Sequence, residues 1–155
     1  MKRLLAFAFA MIVFSGGACG TPFDPAFSRD QNARGFATAF LSGNTPEVKK
    51  YLENPLPGET ERLLGIYADQ VSKLEFTNVA FTSESYGPPT AAQRANGIED
   101  RYRYMAKFAS RGRDAKQSWQ DGCLIFSLVL KNTKWVIVYI DTFSVDGLSA
   151  ECQVF

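Results

Sequence analysis

Apolar residues follow two different spacings along this chain, and the change between them falls near residue 74. In the first half they recur every three or four positions, which places side chains on one face of a helix. This spacing predicts a helix from about residue 26 to 42, a short helix from Thr45-Pro46, and a third over residues 59–72. The predicted apolar stripes are Ala33, Phe36, Ala37, Phe40 and Leu41; Val48, Tyr51 and Leu52; and Leu63, Ile66, Tyr67 and Val71.

The second half of the chain is typical of β-structure. β-Branched and aromatic residues fill four runs that predict strands over residues 74–83, 100–111, 123–130 and 135–142. The last two runs are separated by a polar tight turn, which makes them a hairpin and the centre of the predicted sheet. Helices followed by consecutive antiparallel strands predict an α+β fold, with the N-terminal helices packed on one face of a curved antiparallel sheet.

The strand predicted over residues 100–111 has two chemically different faces. Tyr102, Tyr104, Ala106 and Phe108 alternate with a basic set, Arg101, Arg103, Lys107 and Arg111. An aromatic face turned inward and a basic face turned outward is the pattern of a half-buried strand. The basic face is either a solvated surface that keeps the sheet soluble, or a binding face for an anionic partner such as an acidic protein or envelope polymer.

The N-terminus has the organisation of an export signal. Lys2 and Arg3 precede eleven apolar residues, 4–14, and small residues then lead to Cys19. Eleven residues are too few to span a bilayer as a helix, so residues 1–18 are interpreted as a signal peptide. The sequence Gly-Gly-Ala-Cys resembles a bacterial lipobox, in which the cysteine becomes the lipidated first residue. Plain cleavage, giving a soluble periplasmic or secreted protein, is the alternative.

The cysteine count is consistent with lipidation. Three cysteines would leave an odd thiol in an oxidising compartment. If Cys19 carries the lipid, Cys123 and Cys152 remain as an even pair that can form a disulfide, the alternative being two buried thiols. The predicted organisation is therefore a signal peptide (1–18), a tether (19–25) that follows the lipid anchor in the membrane, and a single domain (26–155).

Composition excludes several chemistries. The chain has no histidine, which rules out Ser-His-Asp and Cys-His catalysis and histidine-ligated zinc. Its formal charge of +1 gives no reason to expect a nucleic-acid partner. Phosphate-binding glycine loops, Cys-x-x-Cys pairs and calcium-loop spacings are absent from the sequence, so no metal or cofactor is predicted.

Two segments carry a resemblance to a known superfamily. The helix-turn-helix phrase FATAFLSGNTPEVKKYL and the late hairpin LIFSLVLKNTKWVIVYID resemble the nuclear-transport-factor-2-like superfamily of cone-shaped α+β domains, in particular its small secreted or lipid-anchored bacterial members. The resemblance covers roughly residues 30–142. Many members place a short strand between the second and third helices, where this sequence has no strand pattern.

The resemblance implies a cone whose mouth can hold a small apolar ligand. Some members are enzymes similar to steroid isomerases or polyketide cyclases, which use an aspartate base with tyrosine donors inside the cone. The candidates here are Tyr104, Tyr139 and Asp141, and strict alternation would place Tyr139 and Asp141 on one face with Trp135 and Ile137. A tyrosine on an inward strand face is more commonly part of the core, so no catalytic residue is assigned.

The function predicted from the sequence is therefore a non-enzymatic one. The chain is expected to be an exported, lipid-anchored bacterial envelope protein that binds a protein partner or small ligand through a cone-like domain. The alternatives are a small isomerase- or cyclase-like enzyme and an accessory subunit of an envelope or secretion assembly.

Overall fold

The structure is a computed structural model that describes residues 24–54, 58–113, 118–145, 147, 149–153 and 155. The predicted signal peptide, Cys19 and most of the tether lie outside the described residues. The elements, in chain order, are α1 (Pro25–Leu41), α2 (Thr45–Val48) with a 3₁₀ turn (Lys49–Tyr51), α3 (Gly58–Ser72), β1 (Leu74–Ser85), α4 (Ala91–Ala95), β2 (Ile98–Gly112), β3 (Gln120–Lys131), β4 (Lys134–Ser144) and α5 (Ala150–Gln153).

Local sequence signals set the helix starts. Asp24 caps α1, its carboxylate accepting from the backbone N–H groups of Ala26 and Phe27, with Pro25 in the first turn. Asn44 caps α2 by accepting from the N–H of Glu47. Cap side chains of this kind satisfy backbone donors that have no partner inside the helix. None of the helices in the described part of the chain is both long and apolar enough to cross a bilayer.

The four strands form one curved antiparallel sheet in the order β1-β2-β3-β4, which confirms the predicted α+β class. Strands β3 and β4 join through Asn132 and Thr133, whose φ angles are both positive. A two-residue hairpin turn with positive φ at both positions matches the right-handed twist of the flanking strands. The predicted central hairpin is therefore present.

The inner face of the sheet, which we define as the side covered by the helices, carries the main core. Phe36 of α1 packs on Phe126 of β3 with ring centroids 4.8 Å apart, and Tyr104 stacks on the other side of Phe126 at 6.0 Å. Trp135 is buried and donates its indole N–H to the carbonyl of Pro25 at 2.8 Å. These contacts attach α1 to two strands, β3 and β4, and burial of so much aromatic surface is the principal stabilising term.

Strand β3 is buried on both faces, over residues 122–130. Its inner-face side chains belong to the main core, whereas Cys123 and Ile125 point to the opposite, outer face and form a second cluster with Met105 and Cys152. Phe155 packs against that cluster. Cys123 and Cys152 lie at disulfide distance, with Cα atoms 6.2 Å apart. The C-terminal residues therefore cover part of the outer face, and their short helix α5 is an element that the sequence did not predict.

The third helix presents a different face from the one predicted. Thr60, Leu64 and Val71 are its buried residues, and Ile66 is 45% exposed. Thr60 is fully buried because its hydroxyl donates to the carbonyl of Val138 at 3.1 Å. A threonine that satisfies a strand carbonyl is compatible with burial. The stripe predicted from apolar residues is therefore confirmed at Val71 and at Tyr67, which packs against the core, and wrong at Ile66.

Candidate functional site

Two bulges in β4 interrupt the alternation that would place both Tyr139 and Asp141 in the main core. Leu128 pairs with Ile137 but Ser127 pairs with Tyr139, so one extra residue, Val138, sits in β4. A second extra residue, Asp141, lies between the partners of Phe126 and Ile125. Each extra residue reverses the alternation of side chains. The inner-face residues of β4 are therefore Trp135, Ile137 and Ile140.

The structure does not bring Tyr139 and Asp141 together inside a cone. Tyr139 is 40% exposed on the edge strand β4, and its electrostatic neighbours Arg62 and Tyr67 belong to α3. The Asp141 carboxylate accepts a hydrogen bond from Ser127 at 2.9 Å, so it belongs to the outer side of the sheet.

Tyr104 does lie on the inner face and does meet a carboxylate, that of Asp30 in α1. Its hydroxyl donates to Asp30 Oδ1 and accepts from Arg29 Nε at 2.7 Å. Burial, and then the hydrogen bond to Asp30, raise the pKa of Tyr104 to about 12. Burial acts to raise the pKa of Asp30, but hydrogen bonds from Tyr104 and Arg29 hold it below its usual value.

This tyrosine–aspartate pair is a buried structural contact between α1 and the sheet. Only 3% of Tyr104 is exposed, and its hydroxyl already donates and accepts within the protein. The guanidinium of Arg29 lies 3.9 Å from the centre of the Tyr102 ring, which closes the same corner of the core. A general acid needs a hydroxyl within hydrogen-bond reach of a substrate. Because the Tyr104 hydroxyl is buried and already bonded to α1, we interpret the pair as a contact that holds α1 against β2.

The described core between helices and sheet contains a cavity of only about 20 Å³, close to the volume needed for a single water. It is lined mainly by Phe40, Val48, Leu64 and Val71. Three larger hollows open to the surface, with volumes of about 600, 300 and 220 Å³. In the described residues, therefore, the space a cone would offer to a ligand is occupied by side chains.

The basic residues predicted on β2 belong to the outer face, but they are not equivalent. Arg111 is paired with Glu75 at 2.8 Å and lies 4.5 Å from the centre of the Trp119 ring. Arg103 has Glu84 at 3.6 Å and Asp141 at 3.8 Å, both long for ion pairs. Arg101 and Arg103 each bury an Nε that has no hydrogen-bond partner among the described residues. Arg111 and Arg103 therefore have carboxylates beside them, whereas Arg101 forms no ion pair among the described residues.

A chain of polar side chains crosses the outer face beside these arginines. Tyr86, in the loop after β1, lies 3.2 Å from the hydroxyl of Ser127, and Ser127 donates to Asp141. Burial raises the pKa of Asp141, against the opposing effects of the Ser127 hydrogen bond and the Arg103 charge. Because an ionised carboxylate only accepts, the hydrogen bonds run from Tyr86 to Ser127 to Asp141.

A cleft of about 300 Å³ lies over this end of the outer face, where the loop 86–97 folds back on the sheet. Its lining combines apolar, hydroxyl and cationic groups: Glu53, Tyr86, Gln93, Ile98, Arg101, Ser127, Leu128, Val129 and Val138. The loop is held in place by α4, where Thr90 and Gln93 form a reciprocal capping box. The cleft is therefore bounded by ordered backbone on both sides.

Sequence reasoning overlooked Tyr86, Ser127 and Asp30. Ser127 was detectable, because it is the single polar residue within the apolar run CLIFSLVL, and a buried hydroxyl requires a partner. Tyr86 and Asp30 carried no such signal, since each reaches its partner only through tertiary folding. Among the described residues no group of three or more histidine, cysteine, aspartate or glutamate side chains is arranged to hold a metal.

Comparison with known proteins identifies no family model, no curated protein and no solved structure that matches this chain. Function must therefore be argued from the sequence and from the geometry above.

Proposed function

We propose that this chain is an exported, lipid-anchored bacterial envelope protein whose domain binds a partner through the outer face of its sheet. One observation carries the choice of face. The inner face is filled by packed aromatic side chains, whereas the outer face combines a 300 Å³ cleft with two arginines whose buried Nε donors have no hydrogen-bond partner in the described part of the chain. A buried guanidinium donor without a partner is costly, and a bound anion would satisfy it.

Two features support the superfamily resemblance as part of this proposal. The helices precede an antiparallel meander that curves around them. In addition, Leu52 forms an isolated parallel bridge with Ile137 of β4. Leu52 lies between the second and third helices, where many members of the nuclear-transport-factor-2-like superfamily place a short strand. We therefore interpret the domain as a filled version of that cone.

The export half of the proposal is tested by changing Cys19 to serine in the producing cell. The variant should lose incorporation of a labelled fatty acid and move from the membrane to the soluble fraction, because the proposed acylation site is removed. The matched control replaces Cys123 and Cys152 by serine and retains Cys19, so it should keep its label. Continued membrane association of Cys19→Ser would contradict lipid anchoring.

The binding half is tested by site-specific photo-crosslinking in intact envelopes. A crosslinking residue at Lys107, on the outer face, should yield a discrete adduct. The same residue at Glu61, on the exposed side of α3, serves as the control and should yield none. Adducts from position 61 alone, or equally from both positions, would contradict use of the outer face.

An accessory subunit of an envelope assembly is the second candidate, and the edge of the sheet favours it. Among the described strands, β1 pairs with β2 alone, and an open groove of about 600 Å³ runs beside it, lined in part by Leu41, Phe76 and Trp119. Such an edge can pair with a strand from another chain. A stable complex recovered at constant stoichiometry from envelopes, and lost when Val79 in β1 is changed to proline, would favour this candidate.

A further inference from the structure

The cleft on the outer face combines one cationic side chain with apolar and hydroxyl groups. Resting on the proposed use of this face for binding, we infer that the cleft formed by Tyr86, Arg101, Ser127 and Val129 binds a small apolar molecule carrying a single carboxylate. This site lies on the opposite side of the sheet from the cone interior. It follows from the charges, the apolar surface and the volume of the cleft.

The positive charge comes from Arg101. It is the only lysine or arginine among the described lining residues. Its guanidinium lies 5.4 Å from the centre of the Tyr86 ring and donates one hydrogen bond, from Nη2 to the Tyr86 carbonyl at 3.3 Å. The buried Nε has no partner among the described residues. Arginine presents paired donors that match the two oxygens of a carboxylate, so a guanidinium with an unused donor can bind such a group, which accepts its hydrogen bonds.

Glu53, the carboxylate that lines the cleft, forms its ion pair with Lys131 and leaves Arg101 available to a ligand. Glu53 is held by Lys131 at 2.8 Å, and this neighbouring lysine offsets its charge. Asp141, another carboxylate on this face, accepts from Ser127 and lies 3.8 Å from Arg103. The charge left for a ligand is therefore that of one guanidinium, which favours a singly charged anion over a phosphate.

The rest of the lining is apolar or neutral. Val129, Val138 and Ile98 supply aliphatic surface, and the hydroxyls of Tyr86 and Ser127 are bonded to one another. Gln93 uses its side-chain oxygen in the capping box of α4, which leaves its amide nitrogen as a donor. A volume of about 300 Å³ is at the lower end of small-molecule sites. The ligand that fits is thus a short alkyl or aryl acid.

The test uses the mature full-length chain and hexanoate as the probe, followed by backbone amide chemical shifts. Hexanoate should cause saturable shifts concentrated at Tyr86, Arg101, Ser127 and Val129. Hexanol and hexylamine, which share the alkyl chain but not the negative charge, should bind at least about tenfold more weakly, since a charged hydrogen bond of this kind accounts for about that factor.

Two variants distinguish binding at Arg101 from a general attraction of the anion to the basic face. Arg101→Gln should weaken hexanoate binding about tenfold, whereas Arg111→Gln, on the same face but paired with Glu75, should leave it unchanged. Circular dichroism verifies that both variants are folded. Three outcomes would overturn the inference: no saturable shifts, equal binding of hexanol, or equal weakening by both variants.

These failures are distinguishable from failure of the proposed function. Loss of the carboxylate site would leave acylation at Cys19 and crosslinking from Lys107 unchanged. Conversely, a soluble and uncrosslinked protein could still bind hexanoate in the cleft.

Discussion

The pair formed by Cys123 and Cys152 allows a quantitative prediction about stability. The two cysteines are 29 positions apart, and both are fully buried on the outer face, where α5 covers Met105 and Ile125. Replacing both by alanine removes the covalent closure but keeps most of the packing. We therefore expect the effect to arise chiefly in the unfolded state, which gains freedom when the loop is opened.

The magnitude follows from the length of the loop. Closing a loop of 29 residues removes conformational entropy worth about 3.6 kcal/mol at 25 °C in the chain-entropy treatment. The free energy of unfolding of a domain this size is about 5–15 kcal/mol, so the loss is a large share of the total. The slope of that free energy against denaturant should rise, because an unlinked unfolded chain exposes more surface.

The assay is equilibrium denaturation in urea, followed by tryptophan fluorescence, with the wild type kept oxidised. The double variant Cys123→Ala/Cys152→Ala should unfold at lower urea and lose about 3–4 kcal/mol. A second variant, Cys123→Ala with the chain ended after Ser149, should lose more, because the contacts of Cys152 and Phe155 disappear as well. A loss below about 1 kcal/mol in the double variant would refute the claim that a covalent bond closes this loop.

Two other predictions concern a glycine and a tyrosine. Gly122→Ala should destabilise by about 1–3 kcal/mol in urea denaturation, because a Cβ there would overlap the Ser144 carbonyl and approach Phe108 Cε2 to 2.5 Å. The control is Gly65→Ala in α3, where a Cβ has no atom within 4 Å; this variant should be more stable than the wild type by about 0.5–1 kcal/mol. Equal changes in the free energy of unfolding of the two variants would contradict the reasoning. In a tyrosinate absorbance titration, Tyr104→Phe should remove a step near pH 12. Because the folded pKa of Tyr104 is raised, the contribution of Tyr104 to the free energy of unfolding is complete below pH 10 and declines as the pH rises toward 12. If Tyr104→Phe instead removed a titration step near pH 10, the reasoning would be contradicted.

Short-range patterns were enough to predict the main elements. Three helix-forming segments, four strands and the turn at 131–134 all occur close to their predicted positions. The reason is that helical and extended spacing each act over a few residues, as do caps such as Asp24 and the turn residues Asn132 and Thr133. The two faces of β2 were also predictable, because no bulge interrupts the alternation between Arg101 and Ala109.

The candidate site could be predicted only in part. Tyr104 was correctly placed on the inner face, but its partner is Asp30, 74 positions away, and sequence spacing does not reveal such a contact. The strict alternation that would place Tyr139 and Asp141 on one face with Trp135 and Ile137 does not hold, because two bulges in β4 interrupt a pattern that looks regular in sequence. Whether a bulge forms depends on the pairing register with β3, which is a property of the folded sheet.

The sequence by itself determined the fold class, the exclusion of histidine chemistry and the expectation of export with a lipid at Cys19. It also singled out the cysteine pair by elimination. Tertiary structure decided what each surface can do: aromatic packing fills the inner face, while the outer face, with α5 at one end and the Tyr86 loop at the other, retains a cleft beside Arg101. The division has a physical cause. Periodicity and composition are local properties, whereas a cavity and a buried donor without a partner exist only after distant segments have packed together.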